Sequence, residues 1–417
     1  MTAALFITLL ALAFVAETLI ALWLEQRHLN HVTAHRDEVP VDFRHQVLLA
    51  EHQKAADYTL AKARLGRLEM PISLLFTAFI LFAGGLAWFW SATEPLSAHP
   101  ISRELAFATL LSLAGSVLSL PFAYRMAFGV EAQFGFNRMS KKLFFTDLIK
   151  NTLLSAALLL PIMYAVFALM RHAGEMWWWW AWALFFGFQL LMLAVYPNFI
   201  APIFNKFTPL AEGEAKDSIE SLLARTGFSS GGLFVMDGSK RSAHGNAYFT
   251  GFGKTKRIVF FDTLLEKLSP TEIEAVLAHE LGHFKHRHVL KRIALLGVVS
   301  LAFFWAVNAI LPAEWFGRAF GFAGSLQNQP GLALIVLAMS LPHLLFWVSP
   351  LSAKFSRKDE FEADAYAAAV SSKDALRTAL VKLTADNAST LTPDPLYANY
   401  HYSHPPTSVR LAALAKL

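Results

Sequence analysis

The chain has 417 residues, of which 55% are hydrophobic and 16% charged, with a formal net charge of +5. That is too apolar for a soluble protein of this size, and no basic stripe interleaved with aromatics is present, so a nucleic-acid partner is excluded. The absence of cysteine excludes disulfides, thiolate metal ligands and thiol nucleophiles.

Seven apolar runs are long enough to cross a bilayer: Ala3 to Leu24, Met70 to Trp90, Leu105 to Tyr124, Leu148 to Met170, Trp177 to Ile200, Val289 to Leu311 and Leu332 to Val348. The first has no small-residue cleavage site soon after its apolar core and continues past Glu17 to Trp23, so it reads as a retained helix. The run Trp177 to Trp180 reads as an interfacial anchor for the fifth span.

Loop charges set the orientation. The loop after the first span carries Arg27, Arg36, Arg44, Lys54, Lys62, Arg64 and Arg67, and the third loop carries Arg138, Lys141 and Lys142. The alternate loops hold only Arg103, Arg171 and Arg318. Positive charge on the inside predicts an external N-terminus and places both large polar regions in the cytosol. The expected division is 1–200 for spans one to five, 201–288 for a cytosolic catalytic region, 289–350 for spans six and seven, and 351–417 for a C-terminal cytosolic region.

Within 201–288, "LAEGEAKDSIESLLARTG" reads as a helix capped at Gly227. Strand-like pieces follow at Gly232 to Asp237 and Arg257 to Asp262, with "GNAYFTGFG", Gly245 to Gly253, between them. Next, "SPTEIEAVLAHELGH" has Ser269 as N-cap, Pro270 at N1 and Glu272 at N3 ahead of an apolar run, which predicts a helix.

The text "HELGHFKHRH" packs four histidines into ten residues. Positions four apart share one helix face, so His279 and His283 both reach an ion beside the turn between them, and Glu280 is placed to act on a metal-bound water. His286 shares that face but sits about 7.5 Å along the axis from their midpoint, too far for bonds of about 2.0 Å. The metzincin extension needs glycine at position 286, which is His here. His288 points to another face, and both outer histidines read as basic surface residues. A third ligand is sought in "SRKDEFEADAYAAA". Glu360 and Asp364 are four apart, so the first is placed to bind metal and the second to accept a hydrogen bond from a ligating imidazole, while Asp359 and Glu362 point elsewhere.

"HELGH", "SRKDEFEADAYA", "GSKRSAHGNAYFTGFGKTKRIVFFDTLL" and "YHYSHPPTSVRL", with "FGFN" and "APIFNKFTPL", together resemble the type I CAAX prenyl protease family of integral-membrane zinc metalloendopeptidases. The resemblance covers nearly the whole chain. It implies a membrane all-α fold, seven transmembrane helices around an internal chamber, with a small cytosolic α+β gluzincin-like catalytic region. It also implies His279, His283 and Glu360 as ligands of one Zn2+, Glu280 as general base and Asp364 as the carboxylate behind a ligand. Asn246, Ala247 and Tyr248 match the strand that holds substrate backbone, and His404 and Arg410 match residues facing the scissile carbonyl. The implied partners are a peptide or protein substrate, lipidated or not, and membrane lipids.

Rival classes fare worse. A transporter would place ionisable residues mid-membrane on broken helices, and an intramembrane-cleaving protease would bury the metal motif in an apolar span, whereas "SPTEIE" and "KHRH" bracket it here. A dead scaffold would have lost a ligand or the base. The lack of cysteine and the richness in Ala, Leu and Trp point to a bacterial cytoplasmic membrane, with the ER membrane as the alternative. C-terminal processing of CAAX-type proteins is the expected activity, with membrane-protein quality control as the competing role.

Overall fold

The computed structural model describes residues 1–250 and 257–417. Gly251 to Gly253, the end of the glycine-rich stretch noted above, lie outside the described residues. The helices used below are α1 (Ala3–Ala34), α2 (Leu49–Phe82), α3 (Pro100–Arg125), α4 (Lys141–His172), α5 (Trp177–Val195), α6 (Glu214–Thr226), α7 (Pro270–Lys285), α8 (His288–Ile310), α9 (Pro330–Leu345), α10 (Ser349–Val370), α11 (Lys373–Asp386), α12 (Pro395–His401) and α13 (Thr407–Leu414). The strands are β1 (Phe207–Pro209), β2 (Leu233–Met236), β3 (Ala247–Thr250) and β4 (Arg257–Phe261).

Among the described residues, 7 helices are long and apolar enough to span a membrane. They correspond to the seven apolar runs, with two differences. The second run does not form one helix: α2 begins at Leu49, so the basic segment before Met70 is helical, and it stops at Phe82. Gly84 turns the chain at φ 81°, and a Cβ on Gly85 would stand 2.7 Å from the Phe79 carbonyl, so only glycine permits the sharp corner into the short helix Gly85–Ala92. The seventh span does not end at Val348. It continues through one 3-10 turn, Phe346–Val348, into α10, giving one element from Pro330 to Val370.

Packing of the spans is concentrated at one end. Phe6 and Leu10 of α1, Phe107 and Leu111 of α3, Phe167 of α4, Ala181 of α5, Val307 of α8 and Leu332 of α9 belong to one buried cluster. By contrast, no described residue is buried in the stretches 11–23, 66–79, 112–125, 148–165 and 182–195. A solid bundle of seven helices would bury one side of each along its whole length. These helices surround an internal chamber instead, capped at the end where α1 begins. Trp177 belongs to that cap at 4% exposure and Trp180 is exposed, so the tryptophan run is only partly the interfacial anchor expected.

The polar regions meet at the opposite end. The sheet has the order β1-β2-β4-β3, antiparallel except for the parallel β2/β4 pair. Its β3 is an edge strand, with Ala247 opposite Phe260 and Tyr248 opposite Val259. The sheet and α6 pack on α7, which packs in turn on α10, α11 and α13, through Ile219, Phe260, Leu277, Ala367, Leu376 and Leu414. The α6 cap at Gly227 and the capping box on α7 form as the residues predict, with Ser269 N–H donating to Glu272 at 2.8 Å. The short β1, with Pro209 at its end, carried no alternating pattern to announce it.

Gly282 decides how closely α7 and α10 approach. A Cβ there would stand 2.8 Å from the Ala363 Cα and 3.0 Å from its carbonyl oxygen, backbone that no side-chain rotation moves aside. Gly282→Ala should therefore separate the two helices, costing about 1–3 kcal/mol and weakening metal binding through displacement of Glu360. A thermal-shift titration with zinc on the variant measures both effects.

Candidate metal centre

The close contact of α7 and α10 sets three side chains against one another. His279 Nε2 and His283 Nε2 are 3.3 Å apart. Each stands 3.4 Å from an oxygen of Glu360, His279 from Oε2 and His283 from Oε1. A tetrahedral ion bonded at about 2.0–2.1 Å spaces its ligand atoms about 3.3–3.4 Å apart, so the two imidazoles already have the separation such an ion requires and the carboxylate presents one oxygen to each. Glu360 is 2% exposed and its Oε2 has no hydrogen-bond partner, an orphaned buried acceptor that a cation would satisfy. The residues fit a metal of the zinc type.

Partners behind the ligands fix their tautomers. His279 Nδ1 lies 2.8 Å from Asp364 Oδ1, which makes Nδ1 the protonated nitrogen and frees Nε2 for a metal. Burial alone would lower the His279 pKa, but hydrogen bonds to Asp364 and Glu360 outweigh it and raise it to about 9. His283 is held at about 4 by burial and by the neighbouring His279, so it stands ready as a neutral ligand. Burial also pushes the Glu280 carboxyl above the usual carboxylate range, and the Glu360 charge adds to this.

His404 approaches from the open side. Its Nε2 is 3.4 Å from Glu360 Oε1, its Nδ1 is 3.0 Å from the Ser403 hydroxyl, and its side chain is 66% exposed. The edge strand borders the same helix, with the Phe249 ring of β3 5.0 Å from the Phe284 ring next to His283. Ala247 and Tyr248 belong to the same strand as Phe249, and Asn246 directly precedes it. The segment before them is anchored by "FGFN": Ala243 N–H donates to the Phe136 carbonyl at 3.0 Å, and Asn137 bridges Ser242. This pairing explains why two segments far apart in sequence belong to one site.

Comparison with known proteins agrees with this geometry. Residues 28–206 match the model of the CAAX prenyl protease N-terminal region, described as five membrane helices, and residues 209–417 match that of peptidase family M48. The chain is 37% identical over 388 residues to the CAAX prenyl protease 1 of Saccharomyces cerevisiae, covering 87% of this chain and 85% of that one. It is 31% identical over 436 residues to the CAAX prenyl protease 1 homolog of Homo sapiens, covering 93% and 90%. A crystal structure of S. mikatae Ste24p superposes with a TM-score of 0.91 at 32% identity, covering 99% of both chains. The chain belongs to peptidase family M48.

Membership in M48 makes it a membrane metallopeptidase, and the structure then shows what Arg410 touches and corrects the reading of one histidine. Arg410, matched by resemblance to a residue facing the scissile carbonyl, stands behind the ligand His279. It is buried, with Nε and Nη2 donating to Asp364 at 2.8 and 2.5 Å, and only Nη1 turns toward Glu360 at 3.9 Å. A bidentate guanidinium–carboxylate pair of this kind locks Asp364, and through it His279.

The correction concerns His288, expected on the surface of a continuing helix and found 1% exposed. The helix does not continue. Arg287 adopts φ 57°, ψ 32°, a left-handed conformation that ends α7 and starts α8 in a new direction. That turn brings His288 Nδ1 to 2.9 Å from His283 Nδ1, and its Nε2 to 3.0 Å from Glu362 and 3.5 Å from Asp359. With Nε2 of His283 kept for metal, its Nδ1–H donates to His288, whose own Nε2–H donates to the carboxylates. His286 remains half outside this chain, 3.9 Å from Glu362 and stacked on His288.

No periodicity predicts a break at arginine, so sequence reasoning missed His288. Zinc affinity should fall about 10–100-fold in His288→Ala, as for loss of other groups orienting a ligating imidazole. Competition with a chelator of known affinity reads this directly.

Proposed function

We propose that this M48 member is a zinc endopeptidase, one Zn2+ per chain, that processes CAAX-type C-termini at the cytosolic face of a bacterial cytoplasmic membrane. The observation carrying this reading is the trio His279, His283 and Glu360, the two imidazole Nε2 atoms 3.3 Å apart and each 3.4 Å from one oxygen of a buried carboxylate. Zinc held there would supply a Lewis acid for the peptide carbonyl and lower the pKa of a water. Glu280 takes the proton of the attacking water and returns it to the leaving amine. A basic carboxylate is the better proton acceptor, and the raised pKa of Glu280 suits that task. His404 donates to the oxyanion, Arg410 and Asp364 hold His279, and Asn246, Ala247 and Tyr248 grip an extended substrate by strand addition. Such backbone pairing is tolerant of sequence, which suits a peptidase acting on peptides or proteins, lipidated or not.

The division proposed for the chain follows these roles: 1–200 and 289–350 enclose the chamber in membrane lipid, 201–288 supplies two ligands and the edge strand, and 351–417 supplies Glu360, His404 and Arg410. The test is release of an aliphatic tripeptide from a prenylated CAAX peptide by purified protein with stoichiometric zinc. Degradation of unrelated unfolded membrane proteins with no tripeptide release would favour the quality-control role instead.

Orientation has its own test. A reporter fused after Leu417 should behave as cytosolic and one inserted near Gln327 as external, because basic residues crowd the catalytic end. The opposite pattern would place the chemistry outside the cell.

A further inference from the structure

The corner between α7 and α8 aims His288 at two carboxylates of α10 that the metal trio does not use. Its Nε2 stands 3.0 Å from Glu362 Oε2 and 3.5 Å from Asp359 Oδ1, and the ligand atoms of the three groups all lie within 4.8 Å of one another. Those two distances bracket the spacing of about 3.3–3.4 Å between ligands of a tetrahedral ion. Neighbouring cations engage the other oxygens: Arg292 of α8 meets Asp359 through Oδ2 at 3.5 Å, and Lys358 meets Glu362 through Oε1 at 3.6 Å. His286 stands at the rim, 3.9 Å from Glu362 Oε2. The Asp359 and Glu362 side chains are 19% and 31% exposed, so an ion enters from solvent. Two carboxylates three apart on a helix are ordinary surface. An imidazole only 1% exposed, tied by one nitrogen to His283 and presenting the other to both of them, is not.

We propose that His288, Asp359 and Glu362 form a second site for a divalent ion of the zinc type, and that an ion there and the ion of the trio weaken each other. The imidazole selects zinc-type ions over magnesium and calcium, which prefer oxygen ligands alone. The antagonism follows from one hydrogen bond and rests on His283 being a ligand as proposed above; the second site itself does not. With metal on His283 Nε2, its Nδ1–H donates to His288 Nδ1 at 2.9 Å, and the His288 proton sits on Nε2. An ion on His288 Nε2 takes that position and leaves the proton on Nδ1, where it faces the His283 N–H. Two donors then meet, and the hydrogen bond that orients His283 is lost. With the trio empty, His283 carries its proton on Nε2 instead and accepts from His288. Loss of such an orienting bond weakens a ligating imidazole about 10- to 100-fold, and linkage makes the effect equal in both directions. Excess metal would thus loosen the enzyme's hold on its catalytic ion.

The experiment titrates metal-free, full-length protein with Zn2+ in a calorimeter. Native protein should take up two ions, one tight and one weaker, and Asp359→Asn/Glu362→Gln should take up only the tight one. His279→Ala/Glu360→Gln, which dismantles the trio, should keep only the second ion and bind it about 10- to 100-fold more tightly than native protein does. A native protein that stops at one ion, or a carboxylate variant that still binds two, overturns the second site. Equal affinity for the second ion with the trio intact and dismantled overturns the antagonism. Anomalous scattering from crystals of native protein soaked in Zn2+ needs no substitution: a peak between His288, Asp359 and Glu362 supports the site, and a second ion bound only elsewhere overturns it. Absence of zinc at the trio would overturn the zinc-peptidase reading, and the peak at His288 would still decide the second site.

Discussion

Replacing Glu280 by Gln should lower kcat about 10²- to 10⁴-fold while zinc remains bound, because the amide keeps the shape of the side chain but cannot accept a proton. The metal trio does not include Glu280, so metal content should be unaffected. Glu360→Gln makes the contrast. It removes the buried charge that faces both histidines at 3.4 Å, and should lose zinc by more than the 10- to 100-fold typical of a lost outer hydrogen bond. Metal analysis after dialysis, alongside turnover of one peptide, separates the two. A Glu280→Gln protein that is inactive because it is zinc-free would remove the base from its proposed role.

His404→Ala should keep its zinc and lose about 10²- to 10³-fold in kcat, about 2.7–4 kcal/mol of transition-state stabilisation. Nε2 of His404 lies 3.4 Å from Glu360 on the exposed side of the trio, where a substrate carbonyl must approach. KM should change much less, since the interaction strengthens only as charge develops on oxygen. Near-normal turnover by the fully metallated variant would assign this histidine to the turn alone.

Much of this architecture was legible because it rests on short-range periodicity. Helical spacing alone joined His279 to His283 and Glu360 to Asp364, and apolar length alone located the spans. The capping box at Ser269 and Glu272 needed only four residues to recognise. What escaped depends on backbone conformations that composition does not announce. The left-handed Arg287 moves His288 from the surface into contact with His283, and the corner at Gly84 divides an apolar run that reads as continuous. Arg410 was found through resemblance, but which carboxylate its guanidinium would face depended on the packing of α13 against α10, contacts between residues 46 apart. The edge position of β3 likewise follows from strand order, which no local pattern records.

The one-sided packing of the spans has an electrical consequence. With the chamber open toward the catalytic end and facing the cytosol as proposed, a membrane potential falls mainly across the thin packed cap, since a wide aqueous space supports little field. Substrate charges near the metal therefore cross almost none of the voltage, and binding should be indifferent to whether the membrane is energised. The cap carries that burden, at about 2.3 kcal/mol per elementary charge per 100 mV. At its heart Glu104, fully buried, is paired with Arg171 at 2.8 Å and accepts the Gly331 N–H at 2.9 Å, where a Cβ on Gly331 would stand 2.9 Å from Glu104 Oε2. Opposite charges locked together present little net charge for such a field to pull.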